Sequence, residues 1–128
     1  MSAVEKLFTT RITELYGIRL PIVASGLMWL SNADYVAAAA NAGIMGFITA
    51  ASFPENDALR AEIRRCRALA GNNPFGVNIA IAHGDKERAR IERVVGMLGE
   101  EGIRFVETFG QNPEPYLKQM REIGRAHV

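Results

Sequence analysis

The feature that most constrains this chain is an alternation repeated along it: a short apolar run, a loop, a helical pattern and a glycine turn. The clearest copy spans Pro21 to Gly46. Leu20–Ala24 reads as a buried strand and Ser25-Gly26 opens a loop. An Ala-rich helix follows, capped at Ser31 or Asn32 and running to Asn41. Gly43 stops it, and Ile44–Thr49 forms a second strand with Gly46 inside, where a side chain would obstruct packing. A strand, a crossover helix and a second buried strand make a βαβ unit, which implies a parallel sheet.

The rhythm continues. A leading helix is expected over Ala3–Tyr16, ended by Gly17. Pro54, Glu55 and Asp57 suit a helix start, and Leu59, Ile63, Cys66 and Leu69 give that helix its apolar stripe. Phe75–Ile81 is a third strand, apolar nearly throughout, as a strand covered on both faces should be. Asp85–Glu101 forms a helix with Ile91, Val94, Val95 and Leu98 inward. Ile103–Thr108 is the fourth strand, and Asn112-Pro113 opens a helix carrying Tyr116, Leu117, Met120 and Ile123. The fold class is α/β, of the (β/α)8 barrel type, present as a partial barrel of about four βα units. Residues 1–128 form a single incomplete domain. Its two open sheet edges leave room for a homodimer.

Composition excludes several functions. The 128 residues hold 15 basic and 14 acidic side chains, a balance unlike a nucleic-acid footprint. No apolar run approaches a membrane span of about 20 residues, and the first residues lack a secretory pattern. A single cysteine, Cys66, precludes an internal disulfide or a cysteine-built metal cluster. These traits describe a cytoplasmic protein that holds no metal.

Two places stand out chemically. Gly26, at the carboxyl end of the first strand, leaves backbone N–H groups open to a ligand such as a planar heteroaromatic ring. A plain strand-to-helix connection would also account for it. Asn78 is the one amide in an apolar strand, and burying it is costly unless its groups find partners. Those partners are either a ligand at a barrel mouth or neighbouring backbone. His83 follows the same strand and faces the mouth or solvent. Cys66 reads as packing, Trp29 as a cap on the ligand mouth or as ordinary core covering the barrel end, and the charged run from Asp85 as a solvated helix face. There is no nucleophile triad, paired-carboxylate site, phosphate loop, zinc spacing or dinucleotide fingerprint.

Several blocks in order carry a family resemblance. They are Leu15-Tyr-Gly-Ile-Arg-Leu-Pro-Ile, Asn41-Ala-Gly with Gly46-Phe-Ile-Thr-Ala, Leu59-Arg-Ala-Glu-Ile-Arg-Arg-Cys-Arg-Ala-Leu, Pro74-Phe-Gly-Val-Asn-Ile and Glu101-Gly-Ile-Arg-Phe-Val-Glu-Thr. Together they resemble the N-terminal half of the nitronate monooxygenase (2-nitropropane dioxygenase) family. The resemblance implies an FMN-binding barrel that oxidises alkyl nitronates with dioxygen. It implies that Gly26, Leu27 and Met28 face the flavin ring, with Thr49, Asn78, Glu107 and Thr108 also lining the cofactor site and Gly110 in the loop beyond. Leu27-Met28 and Gly43-Ile44-Met45-Gly46 depart from the family's usual pattern at those points. The family's catalytic His and its phosphate-holding glycines belong to later units, and His127 does not match that His. Two alternatives follow. One is an FMN-dependent enoyl-acyl carrier protein reductase, which shares the Gly…Trp loop and the Gly-Val-Asn strand. The other is a non-catalytic half-barrel that holds FMN weakly or not at all.

Overall fold

The computed structural model describes residues 7–123. The sheet has four strands in the order β1-β2-β3-β4: Val23–Ala24, Met45–Thr49, Gly76–Ile81 and Val106–Gly110, all parallel. Among the described residues five α-helices accompany them: α1 (Arg11–Tyr16), α2 (Ala33–Asn41), α3 (Asn56–Ala70), α4 (Asp85–Glu100) and α5 (Leu117–Ile123). The result is half of a (β/α)8-type barrel.

Local chemistry explains the helix ends. Thr10 caps α1 with a reciprocal Thr10–Thr13 box, and Gly17 closes it at φ 70°, a left-handed conformation that glycine adopts freely. Asn32, rather than Ser31, caps α2 by accepting the Tyr35 N–H at 3.1 Å. The backbone N–H of Ala33 finds Glu62 of α3 at 2.7 Å, so the two helices are tied where α2 begins. Small residues bring α2 onto the sheet. A Cβ built on Gly46 would lie 3.2 Å from both Ala39 and Val36.

The sheet is covered on both faces, by different groups. Its outer face carries Ile48, Val77, Ile79, Ile81 and Val106, packed against the helices through Val36, Leu59, Ile63, Cys66, Ile91, Leu98 and Met120. Its inner face carries a smaller cluster of Ile18, Met45, Phe47 and Phe105, with Tyr16 against it. Tyr16 meets both phenylalanine rings edge-on, at centroid distances of 6.1 and 5.0 Å.

Some expectations shift. The leading helix begins only at Arg11; residues 7–10 are not helical, Leu7 and Phe8 are exposed, and residues 3–6 lie outside the described residues. Only Val23–Ala24 of the first expected strand pairs in the sheet. The fourth strand lies later than Ile103–Thr108, at Val106–Gly110. Its register against β3 is set by the buried Val106, and Ile103 and Phe105 approach it as apolar coil. Leu69 is exposed, and Ala70 takes its place in the α3 stripe. His83 is exposed, and His127 lies outside the described residues. The last helix starts as a 3-10 turn, Glu114–Tyr116, burying Tyr116 and Met120 but not Leu117.

Candidate functional site

Parallel register places Thr49, Asn78 and Glu107 side by side on adjacent strands: Thr49 pairs with Asn78, and Asn78 with Glu107. Side chains alternate faces along a strand. The same alternation that sends Ile48, Val77 and Val106 outward to the helices sends this row inward. The β1–α2 loop then brings Gly26 onto it. A Cβ on Gly26 would sit 2.6 and 2.7 Å from Cβ and Cγ of Asn78 and 2.9 Å from Thr49 Oγ1. Only a residue without a side chain can approach this closely.

Glu107 joins the row together. Its carboxylate accepts from the Ser25 hydroxyl at 2.8 Å, the Gly26 N–H at 3.2 Å and the Asn78 amide nitrogen at 2.5 Å. In a flat sheet, strands 1 and 4 would lie about 14 Å apart. Direct bonds from Glu107 to Ser25 and Gly26 therefore require a curled sheet and an inward-turning loop. Asn78 is only 2% exposed, and its Oδ1 is the one buried side-chain polar atom among the described residues without a hydrogen-bond partner. An orphaned acceptor of this kind costs about 1–3 kcal/mol.

The loop above the row is braced by small hydroxyl residues. The Leu27 N–H donates to Ser31 Oγ at 2.8 Å, Thr49 Oγ1 donates to the Leu27 carbonyl at 3.1 Å, and the Trp29 N–H donates to Ser52 Oγ at 2.9 Å. Trp29 stands at φ 67°, an uncommon conformation for a bulky residue. Braced in this way, the loop exposes Leu27, Met28, Leu30 and a 72% exposed Trp29 at the rim, with Phe109 of β4 also exposed. Below the row, burial raises the Tyr16 phenol above its usual range, and the charge of Glu107 adds to that rise.

The residues expected to line the site thus divide. Gly26, Thr49, Asn78 and Glu107 form one layer. Leu27 enters it through its carbonyl oxygen, and Met28 is exposed on the rim. Thr108 does not join the layer, because it shares the outward face with Val106, two residues before it. Gly110 follows at φ 95°, where a Cβ would strike the Ile81 carbonyl at 2.5 Å. The sequence reading missed Ser31 as a loop brace, Ser25 as a Glu107 partner and Tyr16 as an inner-face neighbour. Hydroxyls near Gly26 were the available hint for the serines; nothing local pointed to Tyr16. Among the described residues no cluster of His, Cys, Asp or Glu could hold a metal, and no helix is long and apolar enough to cross a membrane.

Comparison with known proteins gives the family and the fold. The family model for nitronate monooxygenase matches residues 9–123. The chain is 37% identical over 116 residues to (3aS,4S,5R,7aS)-5-hydroxy-7a-methyl-1-oxo-octahydro-1H-indene-4-carboxyl-CoA dehydrogenase of Mycobacterium tuberculosis, covering 90% of this chain and 30% of that protein. It is 32% identical to the Rhodococcus jostii protein of the same name, covering 84% and 28%. FabK from Thermotoga maritima superposes with a TM-score of 0.78 at 28% identity, covering 93% of this chain and 36% of FabK. The enoyl reductase domain of MlnA from Bacillus amyloliquefaciens, with a TM-score of 0.67 at 16% identity over 76% of this chain and 22% of that domain, shares the fold. The chain spans about a third of the length of the curated relatives it matches.

Proposed function

The chain belongs to the nitronate monooxygenase family, and on that premise we propose that it supplies one half of the cofactor site of an FMN-dependent oxidoreductase. The observation that carries this reading is the layer of Gly26, Thr49, Asn78 and Glu107. It lies where β1 and β2 end, crosses β3 and β4 within their length, and sits directly under the β1–α2 loop. Parallel barrels bind their ligands at such strand-to-helix loops. The residues fit a flavin ring. Such a ring carries both donors and acceptors on its edge, and this layer offers the buried Asn78 amide oxygen still lacking a donor, beside a carboxylate and hydroxyls already bonded within the chain. The exposed apolar rim of Leu27 and Met28 suits its flat face. When bound, FMN supplies the electron acceptor, while the protein supplies orientation and electrostatics.

Within that role each residue has a distinct task. Gly26 keeps the first loop low over the strand ends. Thr49 fixes that loop through the Leu27 carbonyl. Asn78 and Glu107 supply polar atoms on the inner face, and Trp29 stands at the rim, where it can shield the mouth from water. The finer proposal is oxidation of an alkyl nitronate with dioxygen as the terminal oxidant. A second reading, chemistry on an enoyl or related thioester, is supported by the named CoA-ester substrate of the curated relatives. The likeness to FabK, the Gly26…Trp29 loop and the Gly76-Val77-Asn78 strand also support it.

The test begins with binding. Titrating FMN into the purified protein should quench flavin fluorescence, and Asn78→Ala should weaken the effect; no quenching at any protein concentration would overturn the flavin reading. Oxygen uptake with propane-2-nitronate, set against NADH-dependent reduction of an enoyl thioester, then separates the two substrates.

A further inference from the structure

The layer contains a carboxylate whose position needs explaining. Glu107 spends both oxygens on groups of its own chain, and the three donors it meets come from two separate elements: Ser25 and Gly26 from the β1–α2 loop, Asn78 from β3. Among the described residues no cation forms a salt bridge with it, and Arg residues elsewhere pair with other carboxylates. A carboxylate accepts only, so the Asn78 group that faces it must be the NH2. That fixes the amide orientation and leaves Oδ1 as the unspent group, which is where the orphaned acceptor is found.

We propose that Glu107 is the positioning residue of this site: it holds the Gly26 corner down on the strand ends and sets the polarity of the Asn78 amide, so that the site's uncommitted polar atom is an acceptor. The ligand edge that complements this arrangement carries an N–H or O–H donor. The proposal deepens the flavin reading and rests on it only for the identity of the ligand. The holding action is a property of the chain itself.

The raised Tyr16 phenol fits the same picture. Tyr16 lies on the inner face against Phe47 and Phe105, and the Glu107 charge reaches it there. The row's other members and its loop are uncharged: Ser25, Gly26, Thr49 and Asn78 carry no charge, and the stretch from Leu20 to Ala33 contains no ionisable side chain. Glu107 therefore supplies the charge of this layer.

Two variants separate holding from mere bulk. In Glu107→Gln the new side-chain oxygen can still accept from Gly26 and Asn78, and its NH2 can donate to the Ser25 hydroxyl. In Glu107→Ala all three bonds are lost. The first readout is the ligand-free protein by proton–nitrogen NMR, following the Gly26 backbone amide and the Asn78 side-chain amide. Both resonances should stay near their native positions in Glu107→Gln and collapse towards exchange-averaged values in Glu107→Ala. The second readout is FMN titration, in which Glu107→Ala should weaken binding about tenfold or more, the loss of about one charge-assisted hydrogen bond's worth of organisation, and Glu107→Gln should recover most of it. Unchanged Gly26 and Asn78 resonances in Glu107→Ala would overturn the proposal, whatever happens with flavin. If the resonances respond as expected but no protein binds FMN, the positioning role stands and the flavin reading fails.

Discussion

Replacing Gly26 with alanine tests the site most directly, because its effect can be worked from distances. The added Cβ would lie 2.6 and 2.7 Å from the stem of Asn78 and 2.9 Å from Thr49 Oγ1. Carbon atoms in contact prefer about 3.5–4.0 Å, so the shortfall is about 1 Å. Asn78 Cβ is fixed by the β3 backbone and cannot rotate away, and β3 is held between β2 and β4. The loop must therefore lift. Overpacking of this kind costs about 1–3 kcal/mol. Lifting also stretches the bond from the Gly26 N–H to the Glu107 carboxylate, and a hydrogen bond to a charged group contributes about 1.5–3 kcal/mol. A total near 3 kcal/mol lowers the melting temperature of a chain this size by roughly 10 °C. Thermal unfolding followed by circular dichroism measures it. The matched control is Gly96→Ala in the middle of α4, where a Cβ meets only Gln119 Nε2 at 4.0 Å. That change should stabilise by about 0.5–1 kcal/mol through helix propensity and a less flexible unfolded chain. If Gly26→Ala melted at the wild-type temperature, the close approach argued here for the loop would be wrong.

Two further outcomes follow from the packing of the helices. Glu101, just past α4, has a side chain only 6% exposed and takes Arg60 at 2.6 Å and Arg64 at 3.0 Å. Hydrogen bonding from Arg64, then from Arg60, holds its carboxyl below the ordinary range despite partial desolvation. A lowered native value means stability present above the unfolded value of about 4.3 and lost as pH falls from there through the native one. Urea midpoints should therefore drop on acidification through that window, and Glu101→Gln should flatten the drop; an equally steep profile in the variant would count against the clamp. Cys66 is fully buried in the α3 stripe, and burial, aided by the charge of Glu62, pushes its thiol up to about 12. At pH 8 the folded protein should react with a thiol reagent about a thousandfold more slowly than the urea-unfolded chain. Fast labelling of the native state would show that α3 does not pack as described.

The elements that were legible in the sequence are those whose signal is local. The glycine at the end of α1, the Asn32 cap, the apolar stripe of α4 and the glycine that lets α2 lie on β2 all rest on chemistry within a few residues. Where tertiary contacts decide, the reading drifted. The start of β4 moved because pairing with β3 sets its register, and Leu69 faced out because α3 turns Ala70 towards the core. Helical spacing alone could not choose between those neighbours.

The site shows the same division. Asn78 was legible because an amide in an apolar strand has to be answered, and Gly26 because a glycine after a buried strand permits a close approach. Thr108 was grouped with Glu107 because the two are adjacent in sequence. In the sheet that adjacency puts them on opposite faces. The sequence by itself determined the alternation of strand and helix, the two residues worth watching and the membership of a family. Only the tertiary structure decided that one carboxylate from the fourth strand reaches back to the first loop, because that contact depends on how far the sheet curls, and curl is the summed twist of paired strands rather than a property of any local stretch.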